Sequence, residues 1–229
     1  MLKRYKQRYL DVLASIYIYN EHRGYTALDR VLEAIRARWP EDHQLIAKVE
    51  KHRADERKHY LMFRRWFERR RSMPLAVDRT CGHIDRFVAV MFRSTIDALD
   101  PLAVVSRDEL FERMCRVISL TEKRGHRQVE VLLRHPVVQA DAQLMKIFRI
   151  IEQDEPSHWM PYDEWLVLHG RRMPSWWERA IDSAIHSELL LVKLPLLFLT
   201  GGTRRLTSWP DQADTDAPSA RHVNALAGG

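Results

Sequence analysis

Between Leu45 and Trp66 the chain turns a residue to the same side every three or four positions, in the order Leu45, Val49, His52, Glu56, His59, Phe63 and Trp66. That spacing predicts a helix with an inward stripe, apolar at both ends and polar in the middle. A second stripe of the same make-up runs Leu144, Phe148, Ile151, Glu155, His158, Tyr162 and Trp165. Apolar i/i+3/i+4 spacing recurs along the rest of the chain, and nothing alternates with the period of a strand. The expected fold class is therefore all-α.

The pattern predicts helices over 3–38, 41–71, 82–98, 107–134, 138–168 and 175–199. Trp39-Pro40 and Asp100-Pro101 break the chain, Ser175 with Glu178 forms a capping box, and Gly201-Gly202 ends the last helix. The helix over 82–98 would be a long connection that lets two hairpins pack with related orientation. Pro156 inside the fifth helix predicts a kink or a fresh start there. Residues 1–202 are expected to form one helical domain, and 203–229, rich in Asp, Ala, Ser, Thr and Gly, a flexible C-terminal tail.

Composition narrows the class. The 229 residues contain only eight Gly, 45% are hydrophobic and 30% charged, which suits one helical domain with a substantial core. Cys81 and Cys115 are the two cysteines and form no CxxC pair, so neither a disulfide framework nor a zinc knuckle is indicated and a reducing cytoplasm is the expected location. Met1 to Tyr5 leads into a polar helix without an apolar signal core, which predicts no export. The net charge of +6 leaves nucleic acid or an acidic electron carrier open as partners, although Arg36, Arg38, Arg69 to Arg71, Arg171, Arg172, Arg204 and Arg205 gather where helices should end and complement their dipoles. The apolar run Leu189 to Leu199 is too short to cross a bilayer, which needs about 20 residues, and Lys193 and Pro195 interrupt it. Core or oligomer packing, as in a homodimer, is one reading of it, and shallow membrane association is the other.

The polar centres of the stripes carry the chemistry. Asp55-Glu56-Arg57-Lys58-His59-Tyr60 and Asp154-Glu155-Pro156-Ser157-His158-Trp159 each set a carboxylate and an imidazole on one helix face. Each is preceded by a related element, Glu21-His22-Arg23-Gly24 and Glu122-Lys123-Arg124-Gly125. The same interval separates Glu56 from Glu155 and His59 from His158, and Glu21 from Glu122 differs from it by two residues, so the halves overlay as a duplicated hairpin. If the first helix climbs about 17 residues and the second descends about 15, at ~1.5 Å each, Glu21 and Glu56 finish level. Glu21, Glu56, His59, Glu122, Glu155 and His158 are the ligand inventory of a dinuclear metal site in a four-helix bundle. Oxygen-rich ligation with two imidazoles suits two iron ions, with manganese or a mixed pair as alternatives, and two divalent ions balance four carboxylates. Gly24 and Gly125 leave room beside the site or permit close helix packing. Tyr25, one turn from Glu21, is a candidate to line the site or to pack in the core. Met114, Cys115 and Ile118 are candidates to line an apolar cavity.

On these repeated elements the chain resembles the ferritin-like di-iron carboxylate superfamily over roughly residues 8–168. The resemblance implies a ferritin-like four-helix bundle in which Glu21 and Glu122 each bind a metal, Glu56 and Glu155 bridge or chelate, and His59 and His158 each bind one ion. The Asp before each Glu resembles oxygen-activating members, which implies that Asp55 orients His158 and that Asp154 orients His59. The implied function is a non-haem oxygenase or oxidase that uses dioxygen to oxidise a small apolar organic substrate, with electrons from a ferredoxin or reductase. The alternatives are a ferroxidase or peroxide-scavenging protein of the ferritin and rubrerythrin kind, and a tRNA-modifying hydroxylase.

Overall fold

The structure, a computed structural model, describes residues 2–200 and 204–214. They fold into α1 (Leu2–Arg38), α2 (His43–Arg69), a 3-10 turn (Arg79–Cys81), α3 (His83–Phe92), α4 (Pro101–Val105), α5 (Asp108–Leu133), α6 (Pro136–Gln139), α7 (Ala142–Asp154), α8 (Pro156–Leu168), α9 (Trp176–Glu188), a π-helical turn (Leu189–Lys193), α10 (Leu194–Leu199) and α11 (Pro210–Asp214). An isolated bridge between Leu75 and Arg205 is the β-type pairing among the described residues. Capping fixes several starts. The Asp42 carboxylate accepts the Leu45 N–H at 3.0 Å, Asp141 accepts those of Gln143 and Leu144, and Ser175 and Glu178 close a reciprocal capping box.

Three expectations need correction. The connecting helix ends at Phe92 rather than near residue 98, because Arg93 takes a left-handed backbone conformation with φ 53°. The helix expected over 138–168 is two, α7 and α8, which meet at Glu155. Pro156 takes the first position of α8, where a missing N–H costs nothing. Glu155 keeps helical angles (φ −48°, ψ −42°), and the His158 N–H donates to its carbonyl at 2.8 Å, so the pair survives the break. Likewise the helix expected over 175–199 is interrupted by the π-helical turn.

Part of the expected tail is built into the fold. Trp209 is buried in the core under the Arg64 guanidinium, Tyr60 donates to Asp211 at 2.8 Å, and the Leu206 N–H donates to the Pro74 carbonyl at 2.9 Å. The Gly201-Gly202 stop, residue 203 and residues 215–229 lie outside the described residues. Along the apolar run, Leu189 packs inward, Leu191 and Leu199 are 76% and 75% exposed, and Arg8 donates to the carbonyls of Leu197 and Thr200. No helix among the described residues is long and apolar enough to cross a membrane.

The main core comes in two masses with a polar layer between them. One mass holds Leu10 to Ile18 of α1, Phe63 to Phe67 of α2, Val129 and Leu132 of α5, and Leu144 to Ile151 of α7. The other holds Leu28 to Ile35 of α1, Leu45 and Val49 of α2, Phe111 to Ile118 of α5, and Tyr162 to Leu166 of α8. Each long helical segment therefore passes from one apolar mass to the other. Where it crosses, α1 contributes Glu21, α2 contributes His52, Glu56 and His59, α5 contributes Glu122, and the α7–α8 junction contributes Glu155 and His158. The order of the masses shows that α2 and α5 run in the same direction, with α3 and α4 in the connection that carries the chain back. A third apolar group, including Phe87, Val117 and Ile185, seats α3 and α9 against α5.

Candidate metal centre

All six residues singled out by the duplicated motif meet in this layer. His59 Nδ1 lies 3.3 Å from Glu21, and His158 Nδ1 lies 3.3 Å from Glu56 and 3.8 Å from both Glu122 and Glu155. Two groups of ligand atoms lie close enough to hold a cation, Glu21 with Glu56 and His59, and His52 with Glu56, Glu122 and His158, each within 4.8 Å. Glu56 belongs to both. Glu155 stands beside the second group, with a buried oxygen that has no hydrogen-bond partner.

The rings are gripped from behind. His59 Nε2 is hydrogen-bonded to Asp154 at 2.9 Å, and His158 Nε2 faces Asp55 at 3.5 Å without closing a hydrogen bond, so each imidazole is backed by the aspartate of the other half. Lys58 lies between the two aspartates, 2.6 Å from Asp55 and 2.7 Å from Asp154, and Lys51 also reaches Asp55. The carboxylates behind the rings favour a proton on Nε2 and leave Nδ1 of both rings facing inward, buried without a partner, where a cation could displace the Nδ1 proton.

His52 completes the layer and was not among the residues that the motif selected. Its ring stacks on His158 with centroids 4.3 Å apart. Its Nδ1 meets the Tyr162 hydroxyl at 3.1 Å, and its Nε2 lies 3.7 Å from Glu56 and 3.8 Å from Glu122. With the proton on Nδ1 donated to Tyr162, Nε2 offers a third inward lone pair. The duplication hides it, since Ile151 stands in the matching place of the second half. Its position four residues before Glu56, in the middle of the stripe, is the signal that could have found it.

Four carboxylates packed together repel, and the layer responds by keeping protons. Burial and the neighbouring Glu21 push Glu56 up to about 8, and burial with Glu122 drives Glu155 well above the ordinary carboxylate range. Burial opposes charge on His59, but Asp154 and Glu21 outweigh it and raise it to about 9; Asp55, Glu122 and Glu56 raise His158 in the same way. Burial would raise Glu122 too, yet His158 and His52 hold it at about 2. His52, buried beside His158, falls to about 3 and is neutral. Divalent cations would take over the neutralising role of these protons. The donor set, the inward-facing atoms without partners (His52 Nε2, His59 Nδ1, His158 Nδ1 and a Glu155 oxygen) and the excess of carboxylate all fit a pair of oxygen-loving cations.

Two cavities adjoin the layer. One, of about 140 Å³, is lined by Tyr17, Asn20, Glu21, Gly24, Glu122, Arg124 and Glu155 among others. The second, of about 80 Å³, is almost wholly apolar and includes Met114, Ile118, Gly24 and His52. Cys115 is fully buried beside them and lines neither. Tyr25 packs against His22 and Tyr60 in the core, and it is Tyr17 that lines the first cavity. The Tyr17 hydroxyl is buried without a partner, and desolvation raises it so that it stays protonated. A Cβ at Gly24 would stand 2.2 Å from a Glu56 oxygen, so that carboxylate would have to move; at Gly125 the nearest oxygen of Glu155 would be at 3.4 Å.

No protein-family model, curated protein or solved structure matches the chain.

Proposed function

We propose that this chain is a ferritin-like di-iron carboxylate protein of the oxygen-activating kind. Glu21, Glu56 and His59 would hold one ion, and Glu122, Glu155 and His158, with His52, the other. The observation that carries the reading is the paired imidazoles: each presents a buried, unpartnered Nδ1 to glutamates while its Nε2 is turned to the aspartate of the opposite half. A purely structural core would have closed those hydrogen bonds, because leaving each buried polar atom unpaired costs about 1–3 kcal/mol. The shared direction of α2 and α5, joined by a long connection, supports a ferritin-like arrangement.

Iron, or manganese in its place, would supply activation of dioxygen, with electrons from an external reductase or ferredoxin. The side chains do the rest. Asp154 would retain the Nε2 proton of His59 and set the plane of that ring, Asp55 backs His158 from 3.5 Å, and Tyr162 meets His52 at Nδ1 so that its Nε2 faces the layer. Rings such as Phe63, Phe148 and Trp165 sit in the apolar masses above and below and shield the layer from those two sides. Tyr17 presents a protonated hydroxyl to the cavity as a hydrogen-bond donor. The adjoining apolar cavity favours oxidation of an organic substrate over iron storage. The test is oxygen uptake by iron-reconstituted protein supplied with a two-electron reductant. Uptake that is stoichiometric with the iron centre and lost in Glu56→Ala supports the reading; uptake equal to that of free ferrous iron in buffer refutes it.

A further inference from the structure

The two halves each carry an arginine two residues after the first glutamate, and their surroundings differ. Arg23 is saturated: its guanidinium donates to Asp85 at 2.8 Å and to Asp97 at 2.8 Å, with further bonds from the same head group. Arg124 is not. Its Nε lies 3.3 Å from Asp182 outside hydrogen-bond geometry, and Nη1 makes one long bond of 3.4 Å to Gln128. Its side chain is only 11% exposed, so it sits in a poorly hydrated place with donors to spare.

Those donors stand at a junction between cavities. Arg124 lines the 140 Å³ cavity that touches Glu21, Glu122 and Glu155, and it also lines an outer pocket of about 530 Å³. Gln128, His186 and Leu190 are shared by the two. The outer pocket adds Arg127 and His135, with Asp182 as the acid among the described residues that line it. Its mouth is thus net cationic. Inward, the first cavity meets the apolar one at Gly24, Ile84 and Glu122. The three cavities thus adjoin in series through shared lining residues, from the arginines of the outer pocket, past the carboxylate and imidazole layer, to Met114, Val117 and Ile118.

We infer that the substrate of this centre is a small organic acid, its carboxylate held by Arg124 at the junction and its apolar body lying along the metal layer into the second cavity. This inference rests on the dinuclear reading above and adds the substrate class to it. A guanidinium binds a carboxylate with two parallel N–H···O bonds, and the low dielectric strengthens them. A cationic mouth draws anions and repels amines. An entirely apolar substrate would leave the Arg124 donors unsatisfied, and an amine would meet a cation at the point where the acid meets its partner.

The test uses protein loaded anaerobically with ferrous iron and three probes of equal chain length, hexanoate, hexanamide and hexylamine, with binding followed by titration calorimetry and iron measured on the same samples. Hexanoate should bind more tightly than hexanamide by about tenfold or more, and hexylamine should bind least. Arg124→Gln should bring hexanoate and hexanamide to within about twofold while the iron content stays at the wild-type level. Arg124→Lys, which keeps the charge and so protects the fold, should retain an intermediate preference. A preference for hexanoate that persists undiminished in either variant would mean that the acid binds the iron directly and would overturn the inference, as would a preference for hexylamine. Protein that takes up no iron would overturn the dinuclear reading and the inference with it, whereas iron-loaded protein that does not discriminate among the probes would overturn the inference alone.

Discussion

Asp154 lies 2.9 Å from His59 although the two belong to opposite halves of the chain, and Asp55 faces His158 across the halves in the matching place, at 3.5 Å. Each half therefore supplies the partner that orients the ring of the other. This reciprocity makes the polar layer a joint product of both hairpins, and neither half should assemble it alone.

Removing one of these partners should weaken metal binding without unfolding the protein. Asp154→Asn keeps the shape but can no longer accept the Nε2 proton as an anion, which leaves His59 free to turn. Affinity for the ion on the Glu21 side is expected to fall about 10- to 100-fold. Competitive titration with a chelator of known strength checks this, and circular dichroism should remain that of the wild type.

Gly24 and Gly125 occupy matching places and should answer differently to the same change. In Gly24→Ala the new methyl falls 2.2 Å from a Glu56 oxygen, so the carboxylate common to both candidate ion sites must move. Metal affinity is expected to drop by about tenfold or more. Gly125→Ala meets Glu155 at 3.4 Å, an ordinary contact, and should bind metal as the wild type does. Elemental analysis of the two variants after identical reconstitution and buffer exchange decides the matter.

The metal-free protein should lose stability as pH rises. Glu56 is raised from 4.5 to about 8 and His59 from 6.5 to about 9, so in this range the folded state binds more protons than the unfolded chain. The stabilisation is full below the unfolded values and disappears as pH climbs through about 8 to 9. Glu155 and His158 shift in the same direction, whereas Glu122 and His52, shifted downwards, titrate at acid pH. Chemical denaturation of metal-free protein between pH 6 and 9 should therefore give a falling curve. Metal loading should flatten it, because cations replace the protons and bind better once the ligands are deprotonated.

Much of this architecture was legible because a helix repeats every 3.6 residues and a buried stripe shows it. Both seven-residue stripes are buried along their whole length, and the ends of α1, α2 and α5 fall within two residues of where the breakers place them. The duplicated register picked out Glu21, Glu56, His59, Glu122, Glu155 and His158, which meet in one layer. What the duplication could not show is where the halves differ. His52 is opposite Ile151, and Arg124 faces a cavity while Arg23 is tied down by Asp85 and Asp97. The end of α3 at Arg93 rests on a left-handed backbone angle that no glycine announces. The packing of Trp209 and Asp211 onto α2 depends on tertiary contacts within a stretch whose composition reads as tail.

The most direct test of the whole account is equilibrium binding of ferrous iron to the metal-free chain under anaerobic conditions. Two ions per chain are expected, with both lost from the tight-binding class in Glu56→Ala and both retained when the exposed Glu68 is changed to Ala. Saturation at about a hundred times the dissociation constant should raise stability by about 2.7 kcal/mol for each independent ion. No stoichiometric iron, or binding that survives Glu56→Ala unchanged, would contradict the claim that this polar layer is a dinuclear metal centre.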